Sequence, residues 1–108
     1  MAAWVEIEIG GKVRKAFYGQ STHAEIVTKS AGMTNQVLLG CVVIWAGLHI
    51  ATVINGEVSD FTFGDVCKWC ENEQINIEDV TKVTDAYKES VKFLYNTPKK
   101  KQPVRKKK

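Results

Sequence analysis

The sequence predicts an α+β fold in which an N-terminal β-hairpin packs against a bundle of about four helices. Three features indicate this fold: alternating apolar and polar residues on either side of a glycine pair near the N-terminus, an apolar run in the middle, and apolar residues at three- and four-residue steps near the end. A chain of 108 residues is long enough for one domain with its own core. We therefore expect a single domain over residues 1–95, followed by a basic tail over 96–108.

The first predicted element is a hairpin over residues 4–18, in which WVEIEI and KVRKAFY flank a glycine pair. A two-residue loop would pair Ile7 with Arg14. A loop with an odd number of residues instead gathers five apolar side chains on one face: Val5, Ile7, Ile9, Val13 and Phe17. Because a shift of one residue exchanges the two faces of a strand, we predict the odd-length loop. The two glutamates of the first strand then share the other face with Arg14.

A short helix is predicted next, over residues 22–31. Thr22 is its expected N-cap, and Glu25, three residues later, would complete a capping box. Gly32 is typical of a residue that ends a helix.

The apolar helix over about 35–54 decides the class of the protein, because its eighteen residues from Val37 to Ile54 carry no formal charge. At ~1.5 Å per residue they reach ~27 Å, close to the hydrocarbon thickness of a bilayer. However, His49 lies within the run, and acidic residues follow it where a cytoplasmic anchor favours Lys or Arg. We therefore expect a helix buried by protein and ended by Asn55-Gly56. The alternative is a small membrane protein, holin-like or regulatory, with one span over the same run.

Two further helices complete the predicted fold. Thr62 caps the first, over about 63–72, with Asp65 in its first turn. Asn76 caps the last helix, which ends before Pro98. This last helix is the most amphipathic element, and its apolar stripe is Ile77, Val80, Val83, Tyr87, Val91 and Leu94.

Charge is divided unevenly along the chain. Residues 1–95 hold eight basic and twelve acidic residues, which gives the domain a charge of −4, whereas residues 96–108 carry +7. The basic residues of this tail are Lys99, Lys100, Lys101, Arg105, Lys106, Lys107 and Lys108. Such a segment could bind phosphates of nucleic acid without sequence specificity, contact an acidic membrane surface or only keep the chain soluble. We expect a disordered tail, and we favour neither nucleic acid nor membrane as the partner.

The three cysteines fit an intracellular, reducing setting, which we also expect because no basic region followed by an apolar segment opens the chain. Cys67 and Cys70 form a CxxC pair, which could be half of a zinc site or a redox pair. A structural zinc ion needs two more ligands, and Cys41, His23 and His49 do not form a second close pair. We therefore expect no metal and no cofactor, with the cysteines acting as small apolar residues.

The sequence gives no positive indication of catalysis. His49 could act as an acid or a base, but no carboxylate lies within its apolar run. The glycine pair of the hairpin is not followed by a phosphate-binding motif, and neither a nucleophile elbow nor an HExxH helix is present in the sequence. We therefore predict a protein without enzymatic activity.

The order of these elements and several short motifs resemble the tail assembly chaperones of long-tailed phages and prophages, over residues 4–95. The motifs are I-x-I-G-G-K in the hairpin, Trp45-Ala46-Gly47-Leu48 in the apolar helix, Asp60-Phe61-Thr62-Phe63 before the third helix and Glu89-Ser90-Val91-Lys92-Phe93-Leu94 near the end. The resemblance implies a small, mostly helical, nonenzymatic protein. Such a protein keeps the tape measure protein soluble while tail tube protein polymerises around it.

The same resemblance implies self-association into a homo-oligomer and a role in the host cytoplasm, outside the mature virion. Many members of the family are also made as a longer form by ribosomal frameshifting, and the lysine runs of the tail are compatible with an A-rich slippery tract. The strongly basic tail departs from the family pattern.

Large apolar residues are more numerous than a body of about 95 residues has to bury, which predicts an exposed patch for self-association or for a client helix. We place that patch on six residues of the central helix and its surroundings: Trp45, Leu48, His49, Phe61, Phe63 and Trp69.

Overall fold

A β-hairpin and four helices follow one another in the computed structural model, which describes residues 3–72 and 74–96. The elements are β1 (Ala3–Ile9), β2 (Lys12–Tyr18), α1 (Gln20–Ser30), α2 (Gln36–Ile54), α3 (Phe63–Glu71) and α4 (Ile77–Asn96). This architecture confirms the predicted α+β fold. The seven basic residues of the predicted tail lie outside the described residues.

The two strands of the hairpin are joined by a two-residue loop, so the predicted odd-length loop is wrong. Ile7 pairs with Arg14 in an antiparallel ladder. The loop residues Gly10 and Gly11 have φ angles of 65° and 84°. Positive φ at both positions is typical of a type I′ turn, whose twist matches that of the flanking strands, and glycine adopts it without strain. The chemistry of the turn therefore sets the register.

This register makes one face of the hairpin part of the core. The inner face contributes four buried residues: Ile7, Ile9, Ala16 and Tyr18. Val13 and Phe17, which we expected with the core, lie on the outer face, where Val13 is 63% exposed. Glu6 faces Lys15, so the predicted pairing of the glutamates with Arg14 is also wrong.

The first helix starts two residues earlier than predicted. Gly19 is its N-cap, and Thr22 lies in the first turn, where it is fully buried. The Thr22 hydroxyl donates to the Phe17 carbonyl at 2.7 Å and accepts from the Gly19 amide at 3.3 Å. Because these bonds hold the helix start against the end of β2, Thr22 connects two elements and is not the N-cap. Gly32 follows the helix with a φ of 83°, as expected of a C-terminal stop.

The central helix α2 begins and ends where the sequence predicts. The Asn35 side chain accepts hydrogen bonds from the amides of Val37 and Leu38, and Gly56, with a φ of 69°, follows the C-cap Asn55. The hairpin, α1, α3 and α4 all pack on this helix. Its buried residues lie in the middle turns: Cys41, Val42, Ile44, Ala46, Gly47, Leu48, Ile50 and Ala51.

Among the described helices, α2 is the one that is long and apolar enough to cross a membrane. Of the 18-residue stretch of α2 that meets this requirement, 39% is buried inside the fold. Its exposed apolar residues lie at the two ends: Val37, Leu38, Val53 and Ile54. Protein therefore covers the central turns and leaves the ends of the apolar run open.

The last two helices carry their predicted caps. Thr62 and Asp65 form a reciprocal capping box, with bonds of 3.1 and 2.9 Å. The Asn76 side chain accepts from the Asp79 amide at 2.8 Å. The buried Asp79 carboxylate in turn accepts from the Glu8 amide at 2.8 Å, which fastens the start of α4 to β1.

The apolar stripe of α4 is buried only in part. Val83 and Val91 are buried, together with Ala86, which the predicted stripe omits. Ile77 is 79% exposed and Val80 is 37% exposed. The predicted stripe is therefore exposed at its start, because the described elements do not cover the first turn of α4 on this side.

Candidate functional site

An apolar groove of about 740 Å³ lies between α2 and α4. Helix α2 contributes Val37, Gly40, Cys41, Val43 and Ile44, and α4 contributes Ile77, Val80, Val83, Thr84 and Tyr87. Cys70 of α3 and the connecting residues Ile75 and Asn76 complete the wall. The volume lies in the range of protein sites that hold apolar groups.

The groove is open because the described elements do not cover the N-terminal ends of α2 and α4. Val37 is 74% exposed, and on the opposite wall Ile77 is 79% exposed. Gly40, which also lines the groove, has no side chain, and a Cβ at that position would meet nothing within 4 Å. The start of α2 therefore offers a shallow surface that another backbone can approach closely.

The chemistry of the groove is that of a binding surface. Its thirteen described lining residues include no Asp, Glu, Lys, Arg or His. The polar lining groups are Asn76, Thr84 and Tyr87, together with two thiols. Asn76 caps α4, and the Tyr87 hydroxyl lies 3.0 Å from Nδ1 of His23, so both are engaged in holding the fold. A site of this composition can bury apolar groups, and its described lining holds no carboxylate, imidazole or cationic side chain.

Three of the six residues predicted to form a binding patch do lie together, on α2 and the first turn of α3. The rings of Trp45 and His49 are stacked, with centroids 4.9 Å apart and an interplanar angle of 9°. Phe63 meets the Trp45 ring edge-on at 6.0 Å. Lys29 of α1 lies over both aromatic rings, with its Nζ 5.1 Å from the centroid of Trp45 and 4.8 Å from that of Phe63.

The other three predicted residues belong to the core beneath the hairpin. Leu48 is 1% exposed and Phe61 is 9% exposed. Trp69 packs against Gly10 of the hairpin loop, and its ring centroid lies 6.2 Å from that of Phe61. The Arg14 guanidinium lies 4.7 Å from the Trp69 centroid, which explains how the inner face of the hairpin accommodates a cation. The predicted patch is therefore divided between two places in the fold.

Sequence reasoning missed the groove residues Val37, Ile77 and Val80, because the predicted patch began at Trp45 on α2 and included no residue of α4. One available signal was the start of the α4 stripe, which coincides with the first residue of the helix, Ile77. A helix that starts with an apolar residue at the edge of a domain has fewer neighbours than its middle turns, so this end was the better candidate for an exposed surface.

The fold brings Cys41 of α2 against Cys67 and Cys70 of α3, an arrangement that the sequence spacing did not predict. Burial raises the pKa of all three thiols, that of Cys67 to about 11. Within the described part of the chain, no group of three His, Cys, Asp or Glu side chains is arranged to hold a metal ion.

A second, polar cavity of about 540 Å³ lies between β2 and the α2–α3 connection. Asp60 pairs there with Arg14 at 2.8 Å and with Lys12 at 3.0 Å. Hydrogen bonds from Arg14 and then Lys12 lower the pKa of Asp60 to about 2. Because this carboxylate already engages both cations, the cavity is a weaker candidate for an anion site than its basic residues suggest.

No protein-family model, no characterised protein and no solved structure matches this chain. The resemblance to tail assembly chaperones therefore stays a prediction from the sequence motifs.

Proposed function

We propose that this chain is a nonenzymatic tail assembly chaperone of a long-tailed phage or prophage, which binds an apolar helix face of the tape measure protein in the groove between α2 and α4. The observation that carries the proposal is the aliphatic, uncharged lining of that groove. Helix-in-groove recognition uses such surfaces, because an amphipathic helix inserts side chains at three- and four-residue steps into a preformed apolar channel. The driving force is the removal of apolar area from water.

The rim of the groove supplies apolar area that an incoming helix would cover. Val37 and Ile77 stand on opposite walls and are 74% and 79% exposed, with Val80 behind Ile77 at 37%. Full burial of one such side chain contributes about 1.5–3 kcal/mol. Gly40 favours a helical occupant in particular, because the missing side chain allows close approach of a second backbone.

A small polar metabolite is a poorer occupant. Sites for such molecules combine apolar walls with a few polar groups that fix the orientation of the ligand. Here Asn76 already caps α4, and Tyr87 already lies at hydrogen-bond distance from His23. The groove therefore matches a ligand whose recognised surface is itself mostly apolar.

Self-association into a homo-oligomer and contact with the tail tube protein belong to the same proposal, as does a role in the host cytoplasm. Oligomers of a chaperone would present several grooves to one long helical client, which raises the apparent affinity without new contacts at each site. The basic tail could add nonspecific binding to nucleic acid, but the groove gives that partner no surface.

A single-span membrane protein is the second candidate, because α2 meets the length and hydropathy requirements of a span. The packing of the hairpin and three helices around α2 favours the chaperone, since insertion of α2 into lipid would require these elements to leave it. Alkaline carbonate extraction of cells expressing the chain separates the two candidates: recovery in the supernatant supports the chaperone, and retention with membranes overturns it.

The direct test is co-expression of the full chain with a tape measure protein from the same genome. We expect the chain to increase soluble tape measure protein and to copurify with it. The variant Ile77→Asp should abolish both effects, and it should remain folded because an acidic residue at the first position of a helix is favourable. Val58→Asp is the matched control, because Val58 is 93% exposed and lies outside the groove.

The two variants together decide the proposal. Retained solubility with Val58→Asp and loss with Ile77→Asp would support the groove as the client site. Equal activity of both variants would exclude the groove. No effect of the wild-type chain on the tape measure protein would exclude the chaperone function itself.

A further inference from the structure

The outer face of the hairpin carries large apolar side chains that stay exposed in the folded chain. Trp4 is 48% exposed and Val13 is 63% exposed, and the Phe17 ring lies against that of Trp4, with centroids 4.9 Å apart. An antiparallel sheet that packs on a core with one face normally presents polar residues on the other. Exposed aromatic and aliphatic side chains on such a face are typical of a surface that another molecule covers.

Three cross-strand pairs form this face, and each joins one residue of β1 to one of β2. The pairs are Trp4 with Phe17, Glu6 with Lys15, and Glu8 with Val13. The first pair is aromatic, and the second combines two exposed side chains of opposite charge. The face therefore has an apolar end and a charged middle that holds one cation and one anion.

We propose that this outer face is a homodimer interface, in which the hairpins of two copies stack face to face about a two-fold axis parallel to the strands. Such an axis keeps the level of each cross-strand pair and exchanges the strands, so β1 of one copy lies over β2 of the second. Trp4 then meets Phe17 of the second copy, and Glu6 meets Lys15 of the second copy. Two sheets stacked in this way lie about 10 Å apart and form a small β-sandwich.

The charges of the face select this axis over the other two-fold arrangement. An axis across the strands would place β1 over its own equivalent, so Glu6 would meet Glu6 and Lys15 would meet Lys15. Like charges that meet in an interface are costly, whereas the axis along the strands gives two contacts between opposite charges. The least complementary pair, Glu8 with Val13, lies at the loop end of the face, where the exposed Glu8 carboxylate reaches water.

A second copy fits this face better than a lipid surface does. Binding to an anionic membrane requires an excess of cations beside the apolar side chains. Here Glu6 and Glu8 outnumber Lys15, the cation on the same face. In contrast, a face that carries one glutamate opposite one lysine, beside an aromatic pair, is complementary to itself.

The groove stays open in such a dimer, because none of its thirteen described lining residues belongs to β1 or β2. This inference names the surface for the self-association that the proposed function includes, and its test needs no tape measure protein, so the two can fail separately. Two seven-residue strands present less area than the ~800 Å² per partner of a stable interface. We therefore expect a weak dimer, with a Kd on the order of 10 μM.

The test is sedimentation equilibrium of the full chain at low ionic strength, over concentrations from about tenfold below to about tenfold above this Kd. Lys15→Glu makes the charged middle entirely acidic, and Glu6→Lys makes it entirely basic. Each variant alone should dimerise at least about tenfold more weakly, whereas an equimolar mixture should form a heterodimer, because opposite charges then meet at both contacts. Lys88→Glu, an equal charge change on the exposed surface of α4, is the matched control and should dimerise like the wild type.

The double variant Glu6→Lys/Lys15→Glu tests the direction of the axis. With the axis along the strands, it should dimerise with itself as the wild type does, but it should not pair with the wild type, because Glu6 would then meet a glutamate at position 15. Native mass spectrometry of the ¹⁵N-labelled double variant mixed with unlabelled wild type distinguishes these species. Mixed dimers as abundant as the homodimers would overturn the assigned axis.

Trp4→Ser tests the apolar end of the same face and leaves its charges unchanged. We expect it to weaken dimerisation at least about tenfold, since a tryptophan near the centre of an interface commonly dominates binding. Far-UV circular dichroism verifies that each variant is folded, and Trp4→Ser decides the question if a charge variant does not fold. A wild-type chain that stays monomeric over the whole concentration range, or a dimer that tolerates both Lys15→Glu and Trp4→Ser, would overturn the proposal.

Discussion

The ring of Tyr18 occupies the space that a side chain at Gly47 would fill, so β2 packs directly on the backbone of α2. The Tyr18 hydroxyl donates to the carbonyl of Val43 at 2.8 Å, one helical turn before that glycine. Tyr18 is fully buried, and burial raises the pKa of its phenol far above the ordinary value. The contact thus couples the hairpin to the central helix through one aromatic residue and one missing side chain.

Replacement of this glycine should therefore be among the most damaging single changes in the chain. A Cβ at position 47 would overlap both the ring and the hydroxyl of Tyr18. We expect Gly47→Ala to lower the free energy of unfolding by about 1–3 kcal/mol, in spite of the higher helix propensity of alanine. Urea denaturation followed by circular dichroism measures the change.

Gly40→Ala is the matched control in the same helix. A Cβ at position 40 meets nothing within 4 Å, so alanine should stabilise the protein by about 0.5–1 kcal/mol. If both variants change stability in the same direction, the contact between Tyr18 and Gly47 does not hold the hairpin on α2.

The parts of the fold that the sequence predicted correctly depend on contacts between residues that are close together in the chain. The caps at Asn35, Thr62 and Asn76 form because a side chain reaches an amide two or three residues away. The register of the hairpin could not be derived from the apolar pattern, since Arg14 on the inner face obtains partners from distant positions. These partners are Asp60 and the ring of Trp69, 46 and 55 positions later in the chain.

The candidate site was harder to predict from the sequence, because it is formed by contacts between distant parts of the chain. The contact of Trp45 with His49 follows from their spacing of four residues on α2, whereas that of Trp45 with Phe63 requires α3 to pack on α2. The groove depends instead on where α4 meets α2, which residue spacing within one helix does not fix. The thiol cluster likewise requires α3 to pack against the middle of α2.

A low pH should weaken the ion pairs that join the hairpin to the α2–α3 connection. Arg14 and Lys12 lower the pKa of Asp60 to about 2, against an ordinary value of 3.8. A lowered pKa in the folded state means that the ion pairs stabilise fully above about pH 4 and are lost as the pH falls through about 2. Because the Asp60 side chain is 54% exposed, solvent screening keeps the contribution small.

The variant Asp60→Asn measures this contribution. We expect its Tm to lie slightly below that of the wild type at pH 7 and the difference to vanish as the pH approaches 2. Asp85→Asn, which removes one carboxylate from the exposed surface of α4, is the control for general charge effects. A difference that is constant from pH 7 to pH 2 would contradict the role of the ion pairs.

The buried carboxylate of Asp79 fastens α4 to the hairpin and can be tested by removing its acceptor oxygens. It accepts from the Glu8 amide at 2.8 Å and lies 3.4 Å from the Lys82 ammonium. We expect Asp79→Ala to cost about 1–3 kcal/mol, because the Glu8 amide loses its partner at a partly buried site. Asp79→Asn retains an acceptor and should cost less.

Glu78→Ala is the control for loss of an acidic residue in the first turn of α4, since Glu78 is exposed. Thermal unfolding of the three variants gives the comparison. If Glu78→Ala and Asp79→Ala are equally destabilising, the effect belongs to the helix dipole and not to the bond with β1.

Alkylation should detect the shielding of the thiol cluster. Burial, followed by interaction with Cys41, raises the pKa of Cys67 to about 11, with a further increase from Glu71 and a decrease from Lys29. Because the thiolate is the reactive form, the rate of iodoacetamide modification at Cys67 should be low at pH 8 and rise about tenfold per pH unit toward pH 11. In urea the rate should level off near the ordinary pKa of 9.0. The raised pKa also means that the contribution of this thiol to stability is complete below pH 9 and is lost as the pH rises through about 11.

The rate at Cys67 is measured separately from those of the other two thiols by digestion with trypsin and Asp-N after timed quenching, followed by mass analysis of the peptide 65–68. Equal rates for the native and the urea-unfolded chain at pH 8 would show that Cys67 is not shielded and that α3 does not pack stably against α2.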